Sequence, residues 1–460
     1  MDVSIEEALK VMGGAVLEPL RGDRSVHKIS TDTRSLEKND LFFALKGARF
    51  DGHDFIAEAL EKGAGHFVLS GAKGPTLEQK RSANFIKVPD TLKAYGDLAR
   101  FYRQKFKIPV IAITGSSGKT TVKELAAHIL SQKFNVLKNR GTENNLVGVP
   151  KTILRLEKEH EVLVLEMGTS VPGEIERLSS IASPQVGIIT QIGFSHLEGL
   201  KTQEGVREEK LKLISHVERG GIVILNGEDP MLKDVTCGVH KLVRVGSWKD
   251  CGDVTAEQVR CHETGSSFYI KGRMFETQLL GRYNILNCLF AIAVAEALGV
   301  DTSLIQKAVG SFKPVASRMT LKVIEGIHFL DDSYNSNPSS FKAALETLKE
   351  LKIREKRGVV CGDMLELGKS SEALHRQIGA LLASMLFDFV IAAGTQSKHL
   401  VDEAVKRGFE AKKIHAVKDS KEAGRLCREI AVAGDRVLVK GSRGMQMEKV
   451  FDCFITSSTR

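Results

Sequence analysis

The 460-residue chain has few cysteines and none in pairs. The seven, at positions 237, 251, 261, 288, 361, 427 and 453, form no C-x-x-C and follow no regular spacing, which fits neither a zinc ribbon nor a disulfide framework and points to a reducing compartment. Aromatic residues make up only 6%, and no run of Lys and Arg is interleaved with them, so the stacking platforms of single-strand nucleic-acid binders are not evident. The longest apolar stretch, near Cys288 to Leu298, contains Glu296 and is too short to span a bilayer. The opening MDVSIEEALKVMGG carries acidic residues where a secretory leader is basic, so a cytoplasmic protein with no membrane insertion is expected. Repeats of fixed period and low-complexity tracts are also lacking.

What is present has the balance of a soluble α/β protein: 42% hydrophobic residues, 27% charged residues and 42 glycines. At about 150 residues per domain the length suggests three domains. Lys and Arg exceed Asp and Glu by 66 to 57, a net +9 that would attract nucleic acid, anionic lipid or phosphorylated small molecules without choosing among them.

Strand-then-helix patterning falls into three blocks. The first, 1–107, opens with a capping-box helix (Ser4, Glu7), continues through DLFFAL and ends in a helix around Leu92 to Tyr102, before Lys107-Ile108-Pro109 breaks the pattern. The second, 108–313, contains the apolar runs 110–113, VLVLE (162–166), VGIIT (186–190) and GIVILN (221–226), which read as buried parallel strands. Between them Val122, Leu125, Ala126, Ile129 and Leu130 make one helical face, and 253–280 alternates as a hairpin does. The third, 314–460, carries HFLDD, RGVVCGD, DFVIAAG and RVLVKGS, with Asn337 as N-cap and Pro338 at the first position of a helix. The expected fold is therefore α/β, with a small N-terminal α/β domain, a central P-loop domain with a mostly parallel sheet, and a C-terminal doubly wound, Rossmann-like sheet.

The chemistry concentrates at Ile113-Thr114-Gly115-Ser116-Ser117-Gly118-Lys119-Thr120-Thr121, where a strand ends and a helix begins. Glycines let backbone N–H groups turn toward phosphate oxygens, Lys119 reaches the β/γ-phosphates, and the Thr120 hydroxyl can ligate magnesium. The general P-loop pattern has Gly where this chain has Ile113. Glu166 follows VLVL, and His196 lies just past VGIIT, so both fall at the carboxyl edge where open α/β sheets bind ligands. Lys210 is odd. In a helix starting near Thr202 it shares a stripe with Val206, Leu213 and Val217, so it either snorkels to water or is altered in charge.

From end to end these residues resemble the Mur ligases of peptidoglycan synthesis, ATP-dependent amide-forming enzymes of three domains. ITGSSGKTT looks like the family's form of the loop, and EMGTSVPGEI, IGFSHLEG and NGEDP look like its middle-domain blocks. The segment Asp331-Asp332-Ser333-Tyr334-Asn335-Ser336-Asn337-Pro338 resembles the branch that adds D-alanyl-D-alanine, as do LFFALKG (41–47), DGHDF (51–55), GDMLELG (362–368) and VLVKGSRGMQME (437–448).

The resemblance implies two substrates, UDP-N-acetylmuramoyl-tripeptide and D-alanyl-D-alanine, and a monomer with no nucleic-acid partner. Thr31, Arg34 and the turn Leu45, Lys46, Gly47 would lie near the uridine diphosphate, with Asn144 and Asn145 nearby. ATP would be held by Gly115, Ser116, Ser117, Gly118, Lys119, Thr120 and Thr121, with Asn284 and Asn287 near adenine and Arg318 and Asp332 closing on the nucleotide. Two magnesium ions are implied, one on Thr120 and Glu166 and one on His196 and a carbamylated Lys210; Lys119, His196 and Lys210 form the implied catalytic set. Asn335, Asn337 and Ser339 would face the incoming dipeptide, and 107–109 and 312–316 would be hinges. This chain departs from the family at Tyr283, where His is usual, and at Ser317, where Gly is common. Two competing readings are a related ligase adding a single amino acid, which the 331–338 segment disfavours, and a P-loop ATPase acting on nucleic acid, which leaves the third block unexplained.

Overall fold

The structure, a computed structural model, describes residues 3–20, 22, 24–26, 28–47, 50–71, 74–248, 251–351 and 355–455. Its contacts group into two compact units, one of Met1–Ala112, Asn135–Met167 and Glu176–Pro184, the other of Ile113–Phe134, Gly168–Ile175 and Gln185–Arg460.

The first unit opens with the capping-box helix, Ile5–Met12, in which Ser4 and Glu7 satisfy each other's backbone N–H. Its five-stranded sheet runs in the order Ala15–Val16, Asn84–Lys87, His66–Leu69, Leu41–Phe43, Ile29–Ser30. Only the first pair is antiparallel. Leu41, Phe42 and Phe43 are all buried, as a strand covered on both faces requires. Phe67 stacks on Phe85 at 4.7 Å and meets Phe42 edge-on at 6.0 Å, while Phe43 packs edge-on against Tyr95 of the helix Thr91–Gln104 at 5.1 Å. Because Ile29–Ser30 and Leu41–Phe43 are parallel neighbours, residues 31–34 and 44–47 leave the sheet at one edge. The same unit holds the parallel pair Val136–Lys138 and Val162–Glu166 and the short helix Gly148–Ile153.

In the second unit Val186–Ile189, Ile222–Asn226, Lys241–Gly246 and Val254–Thr255 pair in parallel. The helix Lys119–Leu130 buries Val122, Leu125, Ala126, Ile129 and Leu130, the face its periodicity foretells. The alternation over 253–280 resolves into three antiparallel strands, Glu257–His262, Gly265–Ile270 and Arg273–Thr277, one more than a hairpin. The third block forms a six-stranded sheet, Thr320–Ile324, Ile327–Asp332, Arg436–Lys440, Arg357–Gly362, Phe389–Ala393, Ile414–Val417, parallel throughout except at the first strand. That edge strand alternates half-buried and exposed side chains and carries no continuous apolar run, so pattern alone does not reveal it.

The third block packs directly on the helix Arg282–Ala297. Gly281, which precedes it with φ +84°, leaves no space for a side chain: a Cβ there would lie 2.2 Å from Thr347 Oγ1. Thr347 belongs to the helix Pro338–Glu350, capped by Asn337 with Pro338 at its first position, as the sequence predicts. No helix among the described residues is long and apolar enough to cross a membrane.

Phe329 anchors the third sheet's core, meeting Phe451 at 5.4 Å and Phe454 at 5.1 Å, both edge-on. Phe329→Ala removes both ring contacts and should lower stability by about 3–5 kcal/mol. Urea unfolding followed by far-UV circular dichroism checks this, and a midpoint equal to wild type would mean that the core collapses around the gap.

Candidate functional site

The glycine-rich loop joins the strand Val110–Thr114 to the helix Lys119–Leu130 and turns at two glycines with positive φ, Gly115 at +149° and Gly118 at +84°. Both are hemmed in. A Cβ on Gly115 would lie 1.9 Å from Thr190 Oγ1, and one on Gly118 would lie 2.5 Å from Asn287 Oδ1. Asn287 is itself fixed, its Nδ2 donating to Asn284 Oδ1 at 2.8 Å, and Asn284 Nδ2 donates to the Leu280 carbonyl at 2.9 Å. The two asparagines that the resemblance puts near adenine thus buttress the loop. Ser116 Oγ accepts the Gly193 N–H at 2.9 Å and lies 3.0 Å from Ser195 Oγ, while Thr190 Oγ1 donates to the Ser117 carbonyl at 2.5 Å. Lys119 folds over the loop with its Nζ 2.7 Å from the Gly115 carbonyl, and Thr120 and Thr121 are buried in the first turn of the helix. Such a loop aims backbone N–H groups and a helix N-terminus at one point, which is a phosphate cradle.

Lys210 lies in the helix Gln203–Leu211, N-capped by Thr202, and is 1% exposed. It does not snorkel. Val206, Leu213 and Val217 are buried as the stripe predicts, although the helix stops at Leu211 and the last two lie beyond it. Burial holds the Lys210 amine far below the ordinary lysine pKa, and the charge of Lys119 pushes it the same way, against Glu209. Glu209 commits its carboxylate to the N–H groups of Gly173 and Ile175, each at 2.8 Å, and to Lys212 at 3.0 Å.

His196 adopts a left-handed backbone, φ +54° and ψ +33°, and its Nδ1 is 2.6 Å from Glu366 Oε2. This bond to His196 holds the Glu366 carboxyl below the usual glutamate range. Asn337 makes the other link: while its Oδ1 caps its own helix, its Nδ2 donates to the Ser116 carbonyl at 3.1 Å and to Ser117 Oγ at 3.3 Å. Ser339 Oγ lies 2.5 Å from where a Cβ on Gly193 would stand. The third block is therefore docked on the phosphate loop through Asn337 and Ser339.

At the carboxyl ends of the third sheet's strands the charges are tightly paired. Lys440, 1% exposed, donates to Asp332 Oδ2 at 2.5 Å and to the Asn335 carbonyl at 2.9 Å. Burial pushes the Asp332 carboxyl up, against the pull of Lys440 and Arg318. Tyr283 lies within electrostatic reach of both Asp332 and Arg318, and burial pushes its phenol well above the ordinary value. Arg318 stacks on the Tyr334 ring at 4.3 Å, flanked by Ser317 and Met319 with φ of +55° and +53°. Asn335 presents its side chain to solvent. Ser442 ties three segments together, donating to the Ser336 carbonyl at 3.2 Å and accepting the Leu365 N–H at 2.8 Å, while its own N–H bonds the Asp363 carbonyl at 3.1 Å. Lys440, Ser442 and Glu366 were not singled out by sequence reasoning. Lys440 carries the one usable signal, a cation closing a wholly buried strand.

In the first unit Thr31 and the Leu45–Gly47 turn share one sheet edge, and the Gly47 N–H bonds the Phe50 carbonyl at 2.8 Å. Arg34 is exposed and pairs with Asp32 at 2.7 Å, which draws the Asp32 carboxyl down to about 2. Lys151, paired with Glu143 at 2.7 Å, is close enough to Asp32 to add to that shift, so the 143–151 segment faces the Arg34 turn. Asn144 and Asn145 sit in that segment. Asn144 Nδ2 donates to Glu166 Oε1 at 2.8 Å, and Asn145 Oδ1 accepts the N–H groups of Val147 and Gly148. Glu166 is buried at the end of its strand, with its N–H and C=O both held by Asn139 at 2.9 Å.

Family comparison agrees with this arrangement. Residues 25–103 match the model described as the Mur ligase family catalytic domain, 113–295 the Mur ligase middle domain, and 317–443 the Mur ligase glutamate ligase domain. The chain belongs to the Mur ligase family. Within it, the UDP-N-acetylmuramoyl-tripeptide–D-alanyl-D-alanine ligase of Bacillus subtilis (strain 168) is 34% identical, over 99% of this chain and 98% of that one, and the ligase of the same name from Escherichia coli (strain K12) is 35% identical over 98% of each. Among solved structures, MurF from Acinetobacter baumannii superposes with a TM-score of 0.90 at 29% identity over 99% of each chain. The MurF ligase of Thermotoga maritima in complex with ADP gives 0.82 at 29% identity, over 93% of this chain and 96% of that one.

Two outcomes check the site. Gly118→Ala introduces a Cβ into a left-handed turn against Asn287, and nucleotide affinity should fall at least about tenfold with the circular dichroism spectrum unchanged; isothermal titration with ADP measures it. For Asp32 the folded value, about 2, lies below the ordinary 3.8, so its stabilising pair is complete above pH 4 and fades as the pH falls toward 2. In Arg34→Ala the Asp32 carboxyl should titrate higher than in wild type but still below 3.8, because the backbone N–H of residue 34 and Lys151 go on pulling it down, followed by carboxyl-detected NMR.

Proposed function

We propose that the chain is an ATP-dependent ligase that joins D-alanyl-D-alanine to UDP-N-acetylmuramoyl-tripeptide, giving the UDP-linked pentapeptide, ADP and phosphate in the cytoplasm. The observation that carries this reading is the docking of Asn337 on the phosphate loop: the segment resembling the dipeptide-adding branch meets the cradle at the Ser116 carbonyl. Full-length relatives that share one name support it. A single-amino-acid ligase or a nucleic-acid ATPase accounts for neither. The division of labour follows the three sequence blocks, with 1–107 for the UDP-sugar, 108–313 for ATP and 314–460 for the dipeptide.

A carboxylate is a poor acylating agent. In the proposed reaction the tripeptide's terminal carboxylate oxygen attacks the γ-phosphorus of ATP, the bond to ADP breaks, and an acyl phosphate forms. The dipeptide's free amine then attacks the acyl carbon, and the tetrahedral intermediate loses phosphate while the amine loses a proton. Lys119 and the loop N–H groups offset the negative charge of the transferring phosphoryl. The docked third block excludes the water that would hydrolyse the acyl phosphate.

The donor set suits magnesium on one condition. Thr120 offers a hydroxyl and Glu166 a carboxylate, the hard oxygens magnesium takes, and His196 keeps Nε2 available while Nδ1 faces Glu366. Lys210 as an amine is not such a donor. Burial favours its neutral form, in which the nitrogen can attack the carbon of CO2, one C=O pair moving to oxygen and the nitrogen losing a proton, which leaves an anionic carbamate. Magnesium held by these groups supplies charge screening between the carboxylate and the triphosphate.

The test is incubation with ATP, magnesium and UDP-N-acetylmuramoyl-tripeptide, with and without D-alanyl-D-alanine, reading phosphate release and product mass. A dipeptide-dependent product heavier by one D-alanyl-D-alanine less water is expected; no product with either a lysine- or a diaminopimelate-containing tripeptide would refute the acceptor assignment. Lys119→Ala should abolish ligation. Lys210→Ala should lose more than about a hundredfold, beyond the loss typical of groups outside the metal's own ligands, and recover in part with added acetate or formate. Full activity of Lys210→Ala would exclude a carbamate.

A further inference from the structure

The 362–368 segment approaches His196 across 170 residues of sequence through two bonds: Glu366 Oε2 lies 2.6 Å from His196 Nδ1, and the Glu366 carbonyl accepts the Glu198 N–H at 3.1 Å. The fit is close on both sides. A Cβ on Gly368 would lie 3.3 Å from Glu198 Cα, and His196 and Glu366 both hold left-handed backbones, φ +54° and +63°, that L-residues adopt only under constraint. Beneath the segment, Leu365 N–H bonds Ser442 Oγ, just past the strand Arg436–Lys440, and Met364 N–H bonds His375 Nε2 of the helix Ser371–Met385, at 2.8 and 3.0 Å, so the loop presenting Glu366 is fastened on both sides. A chance surface ion pair needs neither the paired main-chain bond nor two unusual backbones.

We propose that Glu366 is a positioning residue for His196: its carboxylate accepts a hydrogen bond from Nδ1–H, fixes the imidazole as the Nδ1–H tautomer and aims the Nε2 lone pair at the metal. Glu366 touches neither substrate nor metal. It acts through the ring, as carboxylates behind metal-bound histidines do. Because Glu366 lies in the third block and His196 in the middle one, the histidine is correctly oriented only while the third block is docked, which couples dipeptide-domain docking to the metal site. This rests on the reading of His196 as a metal ligand.

The experiment uses the full chain labelled with 15N-histidine, without nucleotide or metal, at a pH where imidazole is neutral, with His196→Ala assigning the resonance. Wild type should show His196 as the Nδ1–H tautomer. Glu366→Ala should shift it toward the Nε2–H form that unpaired imidazole favours, and Glu366→Gln, whose amide oxygen still accepts a hydrogen bond from Nδ1–H, should restore most of the original signal. In parallel, Mn2+ binding to the ADP-loaded protein, read by electron paramagnetic resonance, should weaken roughly tenfold in Glu366→Ala. If His196→Ala weakens Mn2+ binding and Glu366→Ala changes neither the tautomer nor the affinity, the positioning role is overturned and the ligand assignment stands. If the tautomer shifts but neither variant changes Mn2+ affinity, the ligand assignment of His196 falls and the role built on it falls too.

Discussion

The arrangement of the second unit depends on a backbone turn with no room for a side chain. At Gly115 and Gly118 the loop passes within contact of Thr190 and Asn287, and both positions have φ values that L-residues avoid. Everything around the loop serves to keep that turn in place. Ser116 is tied to Gly193, the Ser117 carbonyl to Thr190, and the Ser116 carbonyl to Asn337 of the third block. The carbonyls of Gly115, Ser116 and Ser117 are engaged by Lys119, Asn337 and Thr190, and the Ser116 N–H is held by the Gln191 carbonyl at 2.8 Å.

A second theme is the burial of cations. Lys123, Lys210 and Lys440 are among the largest fully buried side chains, and an uncompensated charge in such a place costs several kcal/mol. The three solve the problem differently. Lys123 lies 3.0 Å from Glu124. Lys440 meets a carboxylate and a carbonyl, which also fixes the 332–335 turn. Lys210 resolves the conflict by favouring its neutral form, and a neutral amine has nucleophilic chemistry open to it that an ammonium lacks. A cation in an apolar stripe thus has structural weight at one position and chemical weight at another.

Features carried by a few consecutive residues were legible in the sequence: the loop 113–121, the capped helix at 337–338, the capping box at 4–7 and the buried parallel strands. The Lys210 stripe was visible, but the choice between snorkelling and burial was not, because it depends on what packs over the helix. Glu366 could not be found. Its partner lies 170 residues away, and nothing local distinguishes it from any solvated glutamate. The antiparallel edge strand Thr320–Ile324 was hidden for the opposite reason, since half of it faces water and its pattern resembles a loop's. Asn284, Asn287 and Asn337 were found by resemblance, and the structure adds that they brace the loop itself.

The strand Arg436–Lys440 sits in the middle of its sheet, between Ile327–Asp332 and Arg357–Gly362, although it comes last in sequence among the described strands. A growing polypeptide therefore cannot close this sheet until Arg436–Lys440 has emerged, long after the two strands that it joins. Lys440 and Ser442 arrive with that final strand, and with them the anchors of the 332–335 turn and of the loop bearing Glu366. Biosynthesis is thereby ordered: the phosphate loop is translated well before the strand that locks the groups docked over it. A chain stopped short of Arg436 holds the loop without the strand that locks its cover.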